Sequence, residues 1–288
     1  MNNFVEGLKT ELIKSSRELD KSIIELIKKA KNKEEKENSK ASKASLIVLN
    51  NILDNLKLSK ETQIPMCQDT GMFDVFVDVG RNNKSSLKTI ESSIIEACSL
   101  ASSQGNFRKS VVEEPVFDRI NTKNNLPAII TYNLVDGDEI EVNVLLKGFG
   151  SENCCDINML NPTVSKEGVI NAVIDIVKKA GGKPCPPICV GIGLGGTMER
   201  AAYLSKRALI RDVNINNKDE KYKNLESEIL EKINKTKIGS GGLGGVTTAL
   251  FVQIEQEPTH IAGLPLAVSI NCWADRKAHF TFKGILND

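Results

Sequence analysis

Three stretches of this chain are too rich in Gly, Pro, Asn and Cys to continue a helix or a strand, and each borders an apolar run. They are Pro65-Met66-Cys67-Gln68-Asp69-Thr70-Gly71, Gly182-Lys183-Pro184-Cys185-Pro186-Pro187, and Gly263-Leu264-Pro265 running on to Asn271-Cys272. Each sets one cysteine at a turn beside a strand, where a side chain can point into a cleft. The chain has seven cysteines, an odd number in a sequence too long to need disulfide staples. No CxxC pair occurs and only two histidines exist, His260 and His279, so a compact zinc ribbon or a His-rich zinc site is excluded. Taken singly, Cys67, Cys185 and Cys272 are each either a ligand or a buried thiol. Together they form a pattern of three turn-borne cysteines from remote segments. Three thiolates on an iron–sulfur cubane would leave one iron open for Lewis-acid chemistry.

The rest of the chain supplies a scaffold. Residues Phe4 to Lys28 carry Leu12, Leu19, Ile23, Leu26 and Ile27 on one helical stripe, and Leu46 to Leu56 repeat at the same spacing. Between them Asn32 to Ser42 is a Lys/Glu/Ser segment, expected to be a solvated helix end or connector. Val75, Val77 and Val79 alternate in a strand, and Thr89 to Gln104 is helical in pattern. Ala128–Val135 and Glu139–Leu146 flank Asp136-Gly137-Asp138, which predicts a β-hairpin. Helices are expected over Glu167–Ala180, Met198–Leu209 and Asp219–Asn234, with strands at Ile188–Ile192, Leu250–Ile254, Leu266–Ile270 and Phe280–Phe282. The fold class expected is α+β, a mixed β-sheet with a hairpin and strand–helix units. Residues 1–58 are expected to be an N-terminal helical layer packing on a catalytic domain over 59–288, the two forming one continuous body.

Charge and hydropathy narrow the function classes. Lys+Arg 38 against Asp+Glu 37 gives a net charge of +1, which argues against a broad nucleic-acid surface. No apolar run approaches the roughly 18 residues of a membrane span, and the first residues lack the apolar core of a secretory signal. A cytoplasmic location is the expectation. Gly191-Ile192-Gly193-Leu194-Gly195-Gly196 matches GxGxxG between a strand and a helix, and Asp212 lies near the spacing of a ribose-binding acid. A nucleotide-binding oxidoreductase is therefore kept as a remote alternative, although the strand before the glycines is short and no doubly wound series follows. Gly239 to Gly245 lacks the Lys-Ser/Thr of a phosphate loop, but its amides could approach a cofactor or a carboxylate closely. Asp69 is placed to reach whatever Cys67 binds, or is a turn carboxylate. Arg108 could hold a carboxylate in a bidentate fork, or is a surface arginine. His260 interrupts an apolar run, as a structural or a functional histidine.

In this order the segments resemble the α-type half of the iron–sulfur hydro-lyases, class I fumarate hydratase and L(+)-tartrate dehydratase. The matching stretches are PMCQDTG at 65–71, NTKNNLPA at 121–128, KGFGSEN at 147–153, MLNP at 159–162, CPP at 185–187, GIGLGG at 191–196, GGLGGVTTAL at 241–250 and PTHIAGLPLAVSINC at 258–272. The resemblance implies a 4Fe–4S cluster on Cys67, Cys185 and Cys272, with the fourth iron binding substrate. It implies substrate contacts at Gln68, Asp69, Arg108, Gly150 and His260, with Asp69 and His260 handling the water and Gln68 and Arg108 fixing carboxylates. Trp273 and Lys277 stand where the family pattern NCHATRHA has histidines. The implied reaction is reversible hydration of a C4 dicarboxylate, fumarate to (S)-malate, with dehydration of L(+)-tartrate to oxaloacetate as the alternative. Single-chain relatives carry a further C-terminal domain, so the resemblance implies a separate β subunit completing the active site and a homodimer of α–β pairs.

Overall fold

Two sheets, in each of which three neighbouring strands share the same connection, organise the chain. A computed structural model describes residues 3–286, and these divide into two compact units. The first takes in the chain up to Asp20, Asn55–Phe149 and the residues from Arg276 on; the second takes in Lys21–Asp54 and Gly150–Asp275. The α+β class and the mixed sheets are as the sequence predicts. Among the described residues no helix is long and apolar enough to cross a membrane.

In the first unit the sheet order is β2-β1-β3-β8, formed by β1 (Met72–Gly80), β2 (Ile129–Val135), β3 (Ile140–Lys147) and β8 (Lys277–Phe282). Phe73, Val75, Val77 and Val79 alternate onto one face with Ile140, Val142 and Val144. That face is covered by α1 (Asn3–Arg17) and α4 (Leu87–Gln104), which contribute Phe4, Leu8 and Leu12, and Ile90, Ile94 and Ala97. Phe4 meets Phe280 and Phe282 edge-on, with ring centroids 5.4 Å apart in each pair. Ser86 caps α4 by accepting the Thr89 amide.

Two expectations are corrected here. The stripe from Phe4 to Lys28 is not one helix: α1 stops at Arg17, α2 (Lys21–Glu37) begins after a break, and α3 (Lys40–Thr62) follows. The carbonyls of Ser16 and Arg17 are taken by the Met66 amide (2.9 Å) and the Ser59 hydroxyl (3.1 Å), so they are diverted from helical partners. Nor do β2 and β3 form a hairpin. Both pair with β1, β2 in parallel and β3 antiparallel, so β1 lies between them. The Asp136–Asp138 turn crosses over the end of β1, and Gly80 makes the crossing possible. A Cβ there would sit 2.6 Å from the Gly137 carbonyl carbon.

The second unit repeats the scheme. Its sheet order is β4-β7-β5-β6, with β5 (Ile188–Gly196) flanked by the parallel β6 (Ala249–Thr259) and the antiparallel β7 (Leu264–Asn271). The sequence pattern missed the one-turn helix α5 (Phe149–Glu152) and β4 (Asp156–Leu160), a short strand antiparallel to β7. Ile188, Val190, Ile192 and Leu194 face α6 (Lys166–Ala180) and α8 (Glu220–Lys235). The alternate residues include Gly191 and Gly193, and α7 (Met198–Ile210) lies against them. A Cβ on Gly191 would come within 2.1 Å of the Ser205 carbonyl oxygen, and one on Gly193 within 2.0 Å of the Ala201 oxygen. The GxGxxG glycines are thus strand residues that admit a helix at close range. This close packing explains the motif without a nucleotide.

Gly193→Ala must push α7 off the sheet, and it is expected to cost about 2–3 kcal/mol as an overpacking change. Denaturant unfolding checks this as a lowered midpoint at unchanged slope. A wild-type midpoint would contradict the packing role of that glycine.

Candidate active site

Cys67 lies in the turn that enters β1, and the residues that fix this turn come from three other parts of the first unit. The Asp69 carboxylate accepts the Gly71 amide on Oδ1 (3.0 Å) and the Phe149 amide on Oδ2 (2.8 Å). The second bond ties the turn to the end of β3, as the Met72–Lys147 register requires. Arg276 is 2 % exposed; its guanidinium donates to the Asp69 carbonyl at 2.6 Å and to the Leu146 carbonyl at 3.2 Å. Asp69 therefore does have a turn-forming role, and each of its oxygens keeps a second acceptor position.

Arg108 belongs to the same end of this sheet. Its amide donates to the Thr70 hydroxyl (3.1 Å) and its carbonyl accepts from the Asn125 side chain (2.9 Å). The Arg108 residue is exposed, as is Gln68, so both can meet a solute. Asn125 was not singled out from the sequence. It is fully buried, has φ +61°, accepts the Ser110 amide and also donates to the Ser102 hydroxyl. Its signal was NTKNNLPA, a polar run that an asparagine can stabilise by adopting the left-handed region.

In the second unit Cys185 and Cys272 lie at one end of the β5–β7 pair. Cys185 enters β5, Cys272 leaves β7, and Cys189 pairs with Asn271 in register. The Trp273 amide donates to the Cys185 carbonyl at 3.4 Å, which brings the two cysteine turns together. Cys185 is exposed and has φ +54°, a left-handed conformation that a non-glycine residue adopts only when its surroundings hold it there. The Asn271 side chain donates to the buried Asp275 carboxylate at 2.6 Å, closing the turn around Cys272.

His260 is placed differently. It sits in the turn between β6 and β7, where its Nδ1 accepts the Ala262 amide at 3.1 Å. This is the far end of β7 from Cys272, and an eight-residue strand spans roughly 25 Å. Gly150 is exposed, and a Cβ there would meet nothing within 4 Å.

The cysteines differ in character. Cys98 and Cys189 are buried, and burial pushes the Cys98 thiol far above its ordinary value, which disfavours a thiolate. Cys155 accepts the Ile270 amide at 3.3 Å and lies against the Ser151 carbonyl, a structural placement. Cys67, Cys185 and Cys272 all retain solvent access at turns. Soft, accessible thiols of this kind suit iron–sulfur ligation, and the Cys185–Cys272 pair of turns fits two of its ligands. Among the described residues, no group of three or more His, Cys, Asp or Glu side chains is assembled to hold a metal ion.

The sequence matches the family described as Fumarate hydratase (Fumerase) over residues 5–281. It is 42% identical over 251 residues to a Methanocaldococcus jannaschii protein named "Putative L(+)-tartrate dehydratase subunit alpha", covering 85% of this chain and 87% of that one. It is 30% identical over 266 residues to the L(+)-tartrate dehydratase subunit alpha of Escherichia coli K12, covering 91% of this chain and 85% of the relative. With nearly its whole length matched, the chain belongs to the fumarate hydratase (Fumerase) family and is a hydro-lyase.

Proposed function

We propose that this hydro-lyase is an α subunit that binds a 4Fe–4S cluster through Cys67, Cys185 and Cys272 and interconverts a C4 2-hydroxy dicarboxylate with its dehydrated form. The observation that supports the reading best is the hydrogen bond between the Cys185 and Cys272 turns, which sets two accessible thiols at one end of one sheet. A cluster held by three thiolates supplies, at its open iron, a Lewis acid that weakens the carbon–hydroxyl bond.

The remaining work falls to the chain's own side chains. The exposed Arg108 guanidinium can take a substrate carboxylate in a bidentate fork, with its backbone held by Thr70 and Asn125 so that the fork needs little reorganisation. Gln68 donates its amide to the second carboxylate. Gly150, with no Cβ, leaves the substrate room for close approach. Asp69, oriented by two amides, offers a fixed acceptor to the departing or attacking water. A water-handling role for His260 gains no support from its own unit, where it lies at the sheet end opposite the two cysteines.

Fumarate hydration to (S)-malate is the first reading of the substrate. L(+)-tartrate dehydration is the second, favoured by the names of the relatives, whose designation as alpha subunits also suggests a β subunit that completes the active site. A homodimer of α–β pairs is the assembly proposed. The two substrates differ by one hydroxyl, and a site with a polar partner for that group discriminates strongly between them.

Two outcomes are expected. Cys67→Ser, Cys185→Ser and Cys272→Ser, prepared anaerobically, should each lose the broad visible absorbance and fall below about 1% of wild-type turnover, while Cys154→Ser keeps both. Full activity in any of the first three would remove that ligand from the scheme. Turnover of fumarate, malate and tartrate should need the co-purified β subunit; full activity of this chain alone would contradict the two-subunit arrangement.

A further inference from the structure

The N-terminal helices carry no chemistry-bearing motif, yet the second unit buries a carboxylate from one of them. Glu34 lies in the last turn of α2 and is fully buried. Its Oε1 accepts the amides of Val246 and Thr247, both at 2.8 Å, and the Ser45 hydroxyl at 3.2 Å. Ser45 in turn accepts the Ser240 amide at 3.2 Å. The segment so held is the glycine loop Gly239–Gly245. Gly245 allows the approach: a Cβ there would lie 2.7 Å from Glu34 Oε1 and 2.9 Å from the Ser45 Cβ.

The loop leads directly to a proposed ligand. The Gly241 amide donates to the Pro186 carbonyl at 2.7 Å, immediately after Cys185, and a Cβ on Gly242 would come within 2.7 Å of the Gly182 Cα at the start of the same turn. Cys185 is held left-handed between these anchors, and its carbonyl accepts the Trp273 amide beside Cys272. Glu34, Ser45, the glycine loop, the Cys185 turn and the Cys272 turn thus form one continuous set of contacts. Losing their shared acceptor would leave the buried Thr247 amide with an uncompensated desolvation cost and the half-buried Val246 amide to find another partner, which favours a changed loop path.

We infer that Glu34 is a positioning residue for the Cys185 turn: it gathers the Val246 and Thr247 amides that close the glycine loop on which that turn rests, and so sets the geometry of a cluster ligand it does not touch. The inference rests on the reading of Cys185 as a ligand. Outer partners of metal ligands typically govern metal retention by 10–100-fold, which sets the scale of the effect.

The test uses the full chain, reconstituted anaerobically with iron and sulfide, as wild type, Glu34→Ala, Glu34→Gln and Ser45→Ala. Iron loss to a chelator is followed in the visible, and acrylamide quenching of Trp273, the single tryptophan, is followed in the cluster-free protein. Alkylation of the buried Cys98 and Cys189 monitors the fold as a whole. Glu34→Ala should lose iron roughly 10-fold faster and quench about twofold more strongly, with both buried thiols still protected. Glu34→Gln keeps the acceptor oxygen and should stay within about threefold of wild type in iron loss. Wild-type behaviour of Glu34→Ala in both readouts, or a Gln variant as impaired as Ala, would overturn the proposal. If Glu34→Ala exposes Cys98 and Cys189, Ser45→Ala decides, because it removes the Ser240 bridge and its own bond to Glu34 while leaving the Val246 and Thr247 amides on the carboxylate: faster iron loss supports the inference and unchanged loss refutes it. If wild type takes up no iron, the cluster reading fails by itself. Trp273 quenching then judges Glu34, and an unchanged value refutes it.

Discussion

Turns have no ladder of their own to satisfy backbone amides and carbonyls, so a turn that must hold a side chain in place needs partners from elsewhere. In this protein those partners are polar side chains brought from distant sequence. Asp69 collects the amides of Gly71 and Phe149, Arg276 takes the carbonyls of Asp69 and Leu146, and Asn125 holds Arg108 and Ser110. Glu34 does the same for Val246 and Thr247. Hydrogen bonds to charged groups contribute about 1.5–3 kcal/mol each, enough to fix such turns, whereas the left-handed Cys185 is held by backbone bonds from Gly241 and Trp273.

Topology decides which turns can meet. In each unit a central strand runs through helix, one in the first and two in the second, into a parallel neighbour, and the chain then crosses the end of the central strand to form an antiparallel neighbour on its other side. The entrance to the central strand and the exit from the antiparallel one therefore fall at the same sheet end. In the first unit these are the Cys67 turn and the Gly148–Phe149 segment; in the second they are the Cys185 and Cys272 turns. The sequence shows no internal repeat, because the shared feature is strand order rather than residue pattern. The same geometry separates His260 from Cys272, since the two lie at opposite ends of β7.

Much of this was readable from the residues alone, and the failures have physical reasons. Local signals worked where local physics dominates: the helices expected over Glu167–Ala180 and Asp219–Asn234 are α6 and α8 within a residue at each end, and the Val75–Val79 alternation marks a sheet face. Asp136-Gly137-Asp138 has hairpin chemistry, but pairing with β1 is a long-range choice that turn residues do not encode. The glycines of the 191–196 motif looked like a phosphate loop because close helix approach and close phosphate approach both demand a missing Cβ. Glu34 and Asn125 were invisible for a different reason. Their composition is that of a solvated segment, and only the fold buries them against amides. The three turn-borne cysteines were singled out by composition, whereas their role as a ligand set came from family resemblance.

Iron and acid-labile sulfide, counted per chain after anaerobic purification, test the cluster assignment most directly. About four of each per chain is the result that three thiolates around a cubane require. A purified, folded and active protein containing neither would contradict it.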